Sequence, residues 1–457
     1  MKIAKTFIGS GLFFGTLAVL LGLSALQAHS QAAGNNAVYK SGTALTGSAS
    51  FVDLVGANPA GIDICAKINT LLLASSFKSG MVVDARGFGS GTSQSCTSNP
   101  FNTVAKTSTV LLPSGTITIS STWVLPNQTR VFGEGPGQTT LLAGGSFASP
   151  MMQMGNAACG TPSNGVCFLV QIAHLTLDGA GQNIDGIDNI NAEEQSTVDD
   201  VAILRIEGTA LSLGSDTSTM GTSSHSGPYT NLFVQANGTA ATTLSTTACV
   251  RIIGFKAQVR GIHGITCIAD GTPSAAIYLD GDNVSIEDVR IDGFGDGIVL
   301  GAQGSSNTVQ ADVIFNVTGT NSVGTVNNLI HLCGSGSSAP CPTSANTVND
   351  VTIMGVTSAQ NNTIKDDVTG TTLPFSTDVF VGMYALGQSL SGGYSRFSTS
   401  PRTPTWGVGS LSSSIASASC AGSTTPANAN GSLFSNTNTS VTGTLFACVG
   451  GLWHSVP

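Results

Sequence analysis

The sequence predicts an all-β chain wound as a parallel β-helix, and three observations carry that prediction. A hexad recurs as Ile172-Ala173-His174-Leu175-Thr176-Leu177, Val198-Asp199-Asp200-Val201-Ala202-Ile203, Ile286-Glu287-Asp288-Val289-Arg290-Ile291 and Val348-Asn349-Asp350-Val351-Thr352-Ile353. Three of these copies run into a turn that ends in glycine, at Asp178-Gly179, Asp292-Gly293 and Met354-Gly355, so each short strand meets a tight bend. The copies lie about 26, 88 and 62 residues apart, close to whole multiples of a solenoid coil of roughly 20 to 26 residues. Composition agrees: 57 glycines and only 9% charged residues favour turns and stacked polar ladders over amphipathic helices. A solenoid grows in one dimension, so 457 residues need no second core.

The elements follow in order. Met1-Lys2-Ile3-Ala4-Lys5 and the apolar run Phe7 to Leu26 read as a secretory signal peptide over residues 1–32, with small residues for cleavage near Ala28, Ser30 and Ala32. No later run is long and apolar enough to span a bilayer, which predicts a secreted chain, extracellular, periplasmic or at the cell surface, with no membrane span after cleavage. Residues 33–62 are an extended leader. In the stretch from Asp63 to Leu73, Ile64, Ile68, Leu71 and Leu72 recur at helical spacing and Asp63 stands at the cap position. That helix is placed to cover the open end of the solenoid, where apolar side chains and backbone groups would otherwise be bare. The β-helix domain is assigned to 63–386, with polar insertions at 214–228, 235–248, 301–308 and 334–346 leaving as loops. A Ser/Gly-rich linker covers 387–418, and a disulfide-clasped β module 419–457.

Ten cysteines in an exported chain imply disulfides. Cys159/Cys167 and Cys333/Cys341 are each eight apart and suited to staple a loop; Cys65/Cys96, Cys249/Cys267 and Cys420/Cys448 are the remaining neighbours, with connectivity left open. No C-x-x-C spacing points to zinc. The formal charge is -9 and becomes more negative when Lys2 and Lys5 leave with the signal peptide. Without Lys/Arg clusters such a surface disfavours nucleic acid. An acidic polysaccharide would need a bridging cation such as calcium.

The segment from Asp63 to Leu141 resembles a known family. Its helix, the strand Met81-Val82-Val83-Asp84-Ala85, then Leu112-Pro113-Ser114-Gly115-Thr116, and then Leu125-Pro126-Asn127-Gln128-Thr129-Arg130-Val131-Phe132-Gly133-Glu134-Gly135-Pro136-Gly137, look like the entry coils of the pectate-lyase superfamily of secreted bacterial type. The resemblance implies a right-handed parallel β-helix (solenoid) with an N-terminal capping helix and a small C-terminal β module. It also implies a carbohydrate-active protein that works on an extracellular or cell-wall polysaccharide by lyase or glycoside hydrolase chemistry. The alternative is a non-catalytic adhesin or polysaccharide-binding protein, since one solenoid carries both roles.

Candidate catalytic residues are Asp185, Asp199, Asp200, His263, Arg260 and Arg290. The order Asn183-Ile184-Asp185, Asp199-Asp200, then His225 or His263 is similar to polygalacturonase-type hydrolases, but the histidines lack the G-H-G context and the carboxylates lie less than one coil apart. Arg260 and Arg290 are candidate bases of a calcium-dependent lyase, with Asp288 and Asp292 as candidate calcium ligands. Asp200 aligns with His174, Asp288 and Asp350, which marks a recurring structural slot. Trp123, Tyr229 and Tyr278 are candidate sugar-stacking residues.

Overall fold

The computed structural model describes residues 51–53, the span 63–366 apart from gaps of which the longest are 157–165, 215–226 and 237–248, and the strands at 380–382, 406–409, 433–436, 445–449 and 452–456. The stretch expected as a signal peptide, most of the expected leader, Arg260, His225, Cys159 and Cys420 lie outside the described residues, as do most of the four expected insertions.

The chain is a parallel β-helix. One sheet stacks twelve strands along its main path, from Phe51–Asp53 through Met81–Asp84, Thr129–Phe132, Gln171–Gln182, Thr197–Ile206, Tyr229–Ala236, Ile262–Ala269, Ser285–Asp292 and Val313–Thr320 to Phe380–Gly382. A second sheet runs beside it from Trp123–Leu125 through Ile187–Asn189, Ala275–Asp280 and Asp296–Leu300 to Asn362–Asp366. Neighbouring strands in both pair in parallel.

Three of the hexads lie over one another in register: Ile172 pairs with Val198, and the row continues through Tyr229, Ile262 and Ile286 to Ile314. Their apolar positions are first, fourth and sixth, a spacing that plain strand alternation does not give. The reason is a left-handed residue at the third position: His174 (φ 57), Asp200 (φ 53), Asn231 (φ 55), Gly264 (φ 68), Asp288 (φ 54) and Asn316 (φ 52). Each bends its strand and resets the alternation, so the second and third side chains both face outward and the fourth turns in. Asn, Asp, His and Gly are the residues that adopt this conformation most readily. Upstream the same bend is a longer break. Thr129–Phe132 pairs with Gln171 to Ala173 and Thr139–Ala143 with Thr176 to Asp178, so the turn 133–138 shrinks to His174 one coil later. Gly133 sits under that bend, where a Cβ would stand 2.2 Å from the His174 carbonyl oxygen.

The fourth hexad departs from expectation. Ile353 pairs with Ile314 and so takes the first position of the motif, not the sixth. Thr347–Asn349 belongs to a separate two-stranded sheet with Thr308–Gln310. Asp350, expected to align with Asp288, lies outside the described residues.

Inside the cylinder the rows Ile172, Val198, Ile262, Ile286 and Leu175, Val201, Leu232, Ile265 are buried. Each such side chain contributes about 1.5–3 kcal/mol relative to exposure. The helix Ile64–Leu73 begins at Asp63, whose carboxylate accepts the Ala66 N–H at 2.9 Å. Its buried face is Ile64, Cys65, Ile68 and Leu72, and Cys65 is bonded to Cys96. Cys333 is bonded to Cys341, and Cys167 is also in a disulfide. Cys249 and Cys267 depart from the expected bond: they are free thiols, buried and hydrogen-bonded to each other inside the core.

In the C-terminal region Trp406–Gly409 falls within the stretch expected as linker, and it pairs with Leu433–Asn436 in a four-stranded sheet that also holds Leu445–Val449 and Leu452–Val456. The module is therefore joined by backbone pairing that reaches back into the expected linker. The clasp expected between Cys420 and Cys448 is not among the described bonds. Cys448 stands in the strand Leu445–Val449 opposite Trp453, and both its side chain and Cys420 lie outside the described residues.

Two outcomes follow. Replacing Asn231 by Val places a β-branched residue at a left-handed position, and urea unfolding is expected to show a loss about 1–3 kcal/mol greater than for Asn231→Gly. Burial pushes the Cys249 thiol well above its ordinary pKa, with Cys267 adding to the effect. Alkylation at mildly alkaline pH should leave both thiols untouched in the folded chain and modify them on unfolding.

Candidate functional site

Because each bend exposes two successive side chains, the outer face of the first sheet carries a double row of polar groups, repeating about every 4.8 Å along the stack. The third-position row reads His174, Asp200, Asn231, Gly264, Asp288, Asn316. The second-position row beside it includes Asp199, Thr230, His263, Glu287 and Phe315.

Two histidine–carboxylate pairs stand in these rows. His174 Nδ1 lies 2.8 Å from Asp200 Oδ2, and His263 Nε2 lies 2.5 Å from Asp288 Oδ2. All four side chains are about half exposed. Asn316 Nδ2 donates to the other oxygen of Asp288. That hydrogen bond, with the His263 contact behind it, holds the Asp288 carboxyl below its ordinary range. Asp288 is thus held as an anion, and His263 reaches it through Nε2, so that Nδ1 is the ring nitrogen Asp288 does not engage.

Asp199 is used differently. Its Oδ1 accepts from Thr230 Oγ1 at 2.6 Å and from Asn231 Nδ2 at 3.0 Å, which ties two coils together. Asp185 is a turn clasp: it accepts the Thr209 N–H at 2.6 Å and the Ser149 hydroxyl at 2.8 Å. The structure does not bring Asp185 to Asp199 and Asp200. Asp185 leads into the strand Ile187–Asn189 of the second sheet, whereas the other two belong to the first. Arg290 faces outward in the fifth-position row, 4.0 Å from Asp292.

Asp292 itself is buried at 1% exposure. It stands four residues beyond Asp288 on one strand, a span of roughly 13 Å when extended. The two carboxylates therefore do not converge on one calcium ion. The three aromatic candidates also turn inward, since Trp123, Tyr229 and Tyr278 are each fully buried. Trp123 Nε1 donates to Cys96 Sγ, and Tyr229 occupies the first, inward position of its strand, with its hydroxyl accepting from Asn189 at 2.7 Å. Among the described residues Phe168 is exposed, and the most exposed aromatics are Phe233 and Phe315, each 42% exposed, at fifth and second positions of the motif. The phase of the first-fourth-sixth pattern marks both as outward.

Two other groups are notable. His331 Nδ1 meets Asp296 Oδ2 at 2.6 Å beside the Cys333–Cys341 disulfide, whose Cys341 Sγ lies 3.4 Å from His331 Nε2. Among the described residues the His/Cys/acid groupings tight enough for a metal are this one and Asp63 with Cys65 and Cys96, and in both the cysteines are bonded to each other rather than available as thiolates. Asp188, between Gln153 and Ser212 on the second sheet, has a carboxyl pushed up to about 7 by burial, then by the nearby Asp185. Its Oδ1 is buried with no hydrogen-bond partner.

No protein-family model matches the chain, and no curated protein resembles it by sequence. Among solved structures it is similar to the A-module of mannuronan C-5 epimerase AlgE4 from Azotobacter vinelandii, at 14% identity and a TM-score of 0.33 over 68% of this chain and 100% of that one. The AlgE6 A-module of the same organism gives 14% identity and 0.32 over 68% and 98%. ORF18 of Geobacillus virus E2 gives 14% and 0.26 over 55% of each chain. Likeness at this level assigns neither a family nor a chemistry.

Asp188 yields a pH prediction. Its folded pKa of about 7 exceeds the ordinary carboxyl value of 3.8, so between these values the folded chain holds a proton that the unfolded chain has lost. Stability then falls as pH rises across that window, by a few kcal/mol, on the order of 4. Asp188→Asn should remove this slope: denaturant melts at pH 4 and pH 8 would show the variant more stable than the parent only at the higher pH.

Proposed function

We propose that the protein is an exported enzyme that acts on an extended polysaccharide laid across the outer face of the first sheet. The observation that carries this reading is the His263–Asp288 dyad, half exposed and bracketed by aromatics. His263 and Asp288 stand on consecutive coils, the coil before them presents Phe233 and the coil after them Phe315. Flat, exposed rings suit the C–H faces of sugars, while the polar rows supply donors and acceptors for hydroxyls. Export is supported by the Cys65–Cys96 and Cys333–Cys341 bonds and by the N-terminal run. No helix among the described residues is long and apolar enough to cross a membrane.

In this reading His263 is the proton-transfer group. Asp288 orients the ring and stabilises the imidazolium that forms, as a carboxylate does for a catalytic histidine in general. The proton comes from water in a hydrolase, or from the carbon beside a uronate carboxylate in a lyase. His174 with Asp200 repeats the pair three coils away from His263, about 14 Å along the stack. The use of Asp199 in a coil-to-coil ladder favours the second reading, a binder whose polar rows serve only the stack.

The test is incubation with a polysaccharide panel, reading both reducing ends and unsaturated-uronate absorbance, with and without calcium. His263→Gln is expected to lower turnover about 100-fold or more with little change in binding or melting temperature. Turnover that survives this change would remove His263 from the chemistry, and binding without either product would establish the non-catalytic reading.

A further inference from the structure

The charge on the face beside His263 bears on what kind of polysaccharide lies there. Outward positions carry Asp199 and Asp200 on one coil and, three coils on, Glu287 and Asp288, against Arg290 as the described cation beside the dyad. Arg205, further along the same sheet, is already held by Asp178, with Nε 2.8 Å from Oδ1. Asn316 and His263 keep Asp288 ionised. The chain as a whole adds a formal charge of -9.

A polyuronate brings one carboxylate per sugar to this face and meets like charge at both of these levels of the stack, unless a cation reverses the sign. Asp288 and Asp292, the pair expected to hold such a cation, point to different places on their strand and one is buried. Phe233 and Phe315 favour the opposite occupant independently of the carboxylates, because the face of an aromatic ring attracts an ammonium group as well as a sugar C–H surface.

We propose that the segment bound here is a cationic, amino-sugar-bearing polysaccharide, held between these carboxylates and the two phenylalanine rings. The proposal rests on the reading of this face as a sugar site and narrows it. An amino-sugar chain has no uronate carboxylate to acidify a neighbouring C–H, so the chemistry left to His263 is hydrolysis. Water gives its oxygen to the anomeric carbon as the glycosidic C–O bond breaks, and its proton passes by way of His263 to the departing oxygen.

The experiment is equilibrium binding of the full chain to glucosamine oligomers, the same oligomers N-acetylated, and oligogalacturonate, all in chelator, at low and at high salt. The glucosamine oligomers are expected to bind about 10-fold tighter than the N-acetylated ones at low salt, with the ratio collapsing at high salt. Glu287→Gln should lower glucosamine binding about 2- to 5-fold and leave N-acetylated binding unchanged. Equal binding of the charged and acetylated forms, or tighter binding of oligogalacturonate in chelator, overturns the cationic assignment and leaves the sugar site standing. Absence of binding to all three overturns both. The salt dependence of the unaltered chain decides the matter even if the variant does not fold.

Discussion

The left-handed residue at the third position of the motif in each long strand governs the rest of this structure. Without it a strand presents every second side chain to solvent, and the hexad would need apolar residues at alternate positions. With it, as at His174, Asp200, Asn231, Gly264, Asp288 and Asn316, two adjacent side chains face out and the apolar positions become first, fourth and sixth. The bend therefore produces both the packed interior and the double polar row outside. It also restricts which residues can occupy the bend, since few side chains tolerate a positive φ. Asn, Asp and His tolerate it and also carry proton and hydrogen-bond chemistry. Scaffold and site consequently draw on one set of residue types.

That coincidence explains how far the site was legible in the sequence. Asp199, Asp200 and Asp288 were visible as a recurring slot, and the slot is real. What periodicity does not reveal is how each member is spent. Asp199 Oδ1 accepts from Thr230 and Asn231, and Asp185 accepts from Thr209 and Ser149. Asp288 is paired with His263 on the neighbouring coil. These outcomes depend on contacts between residues 24 to 36 positions apart, which only the coil length sets.

The fold was more legible than the site, because stacking repeats one physical requirement many times. The three hexads in register, the helix at Ile64–Leu73 and the bond Cys333–Cys341, eight residues apart, all follow from local spacing. The fourth hexad shows the limit. Val348 to Ile353 has the right composition, yet a coil can change length, and there the apolar residue that meets Ile314 is Ile353. The aromatics misled for a related reason. Tyr229 opens its strand and so takes the inward first position, whereas Phe233, four residues on and past the bend, faces out.

Position along the stack separates the two dyads as well. His174 is the first residue to replace the turn 133–138 by a single bend, so on its upstream side the face is interrupted by Gly133 to Gln138 and by the ring of Phe132, 6.4 Å away. His263 has uninterrupted coils on both sides, from Thr197–Ile206 to Val313–Thr320. A polymer that must lie flat over several coils has room on either side of His263 and meets a wall beyond His174. The same argument accounts for the exposed rings. Phe233 and Phe315 leave apolar surface in water, a cost of about 25 cal/mol per Å² that burial elsewhere does not recover. They stand one coil outside the dyad on each side, where a bound chain would cover them.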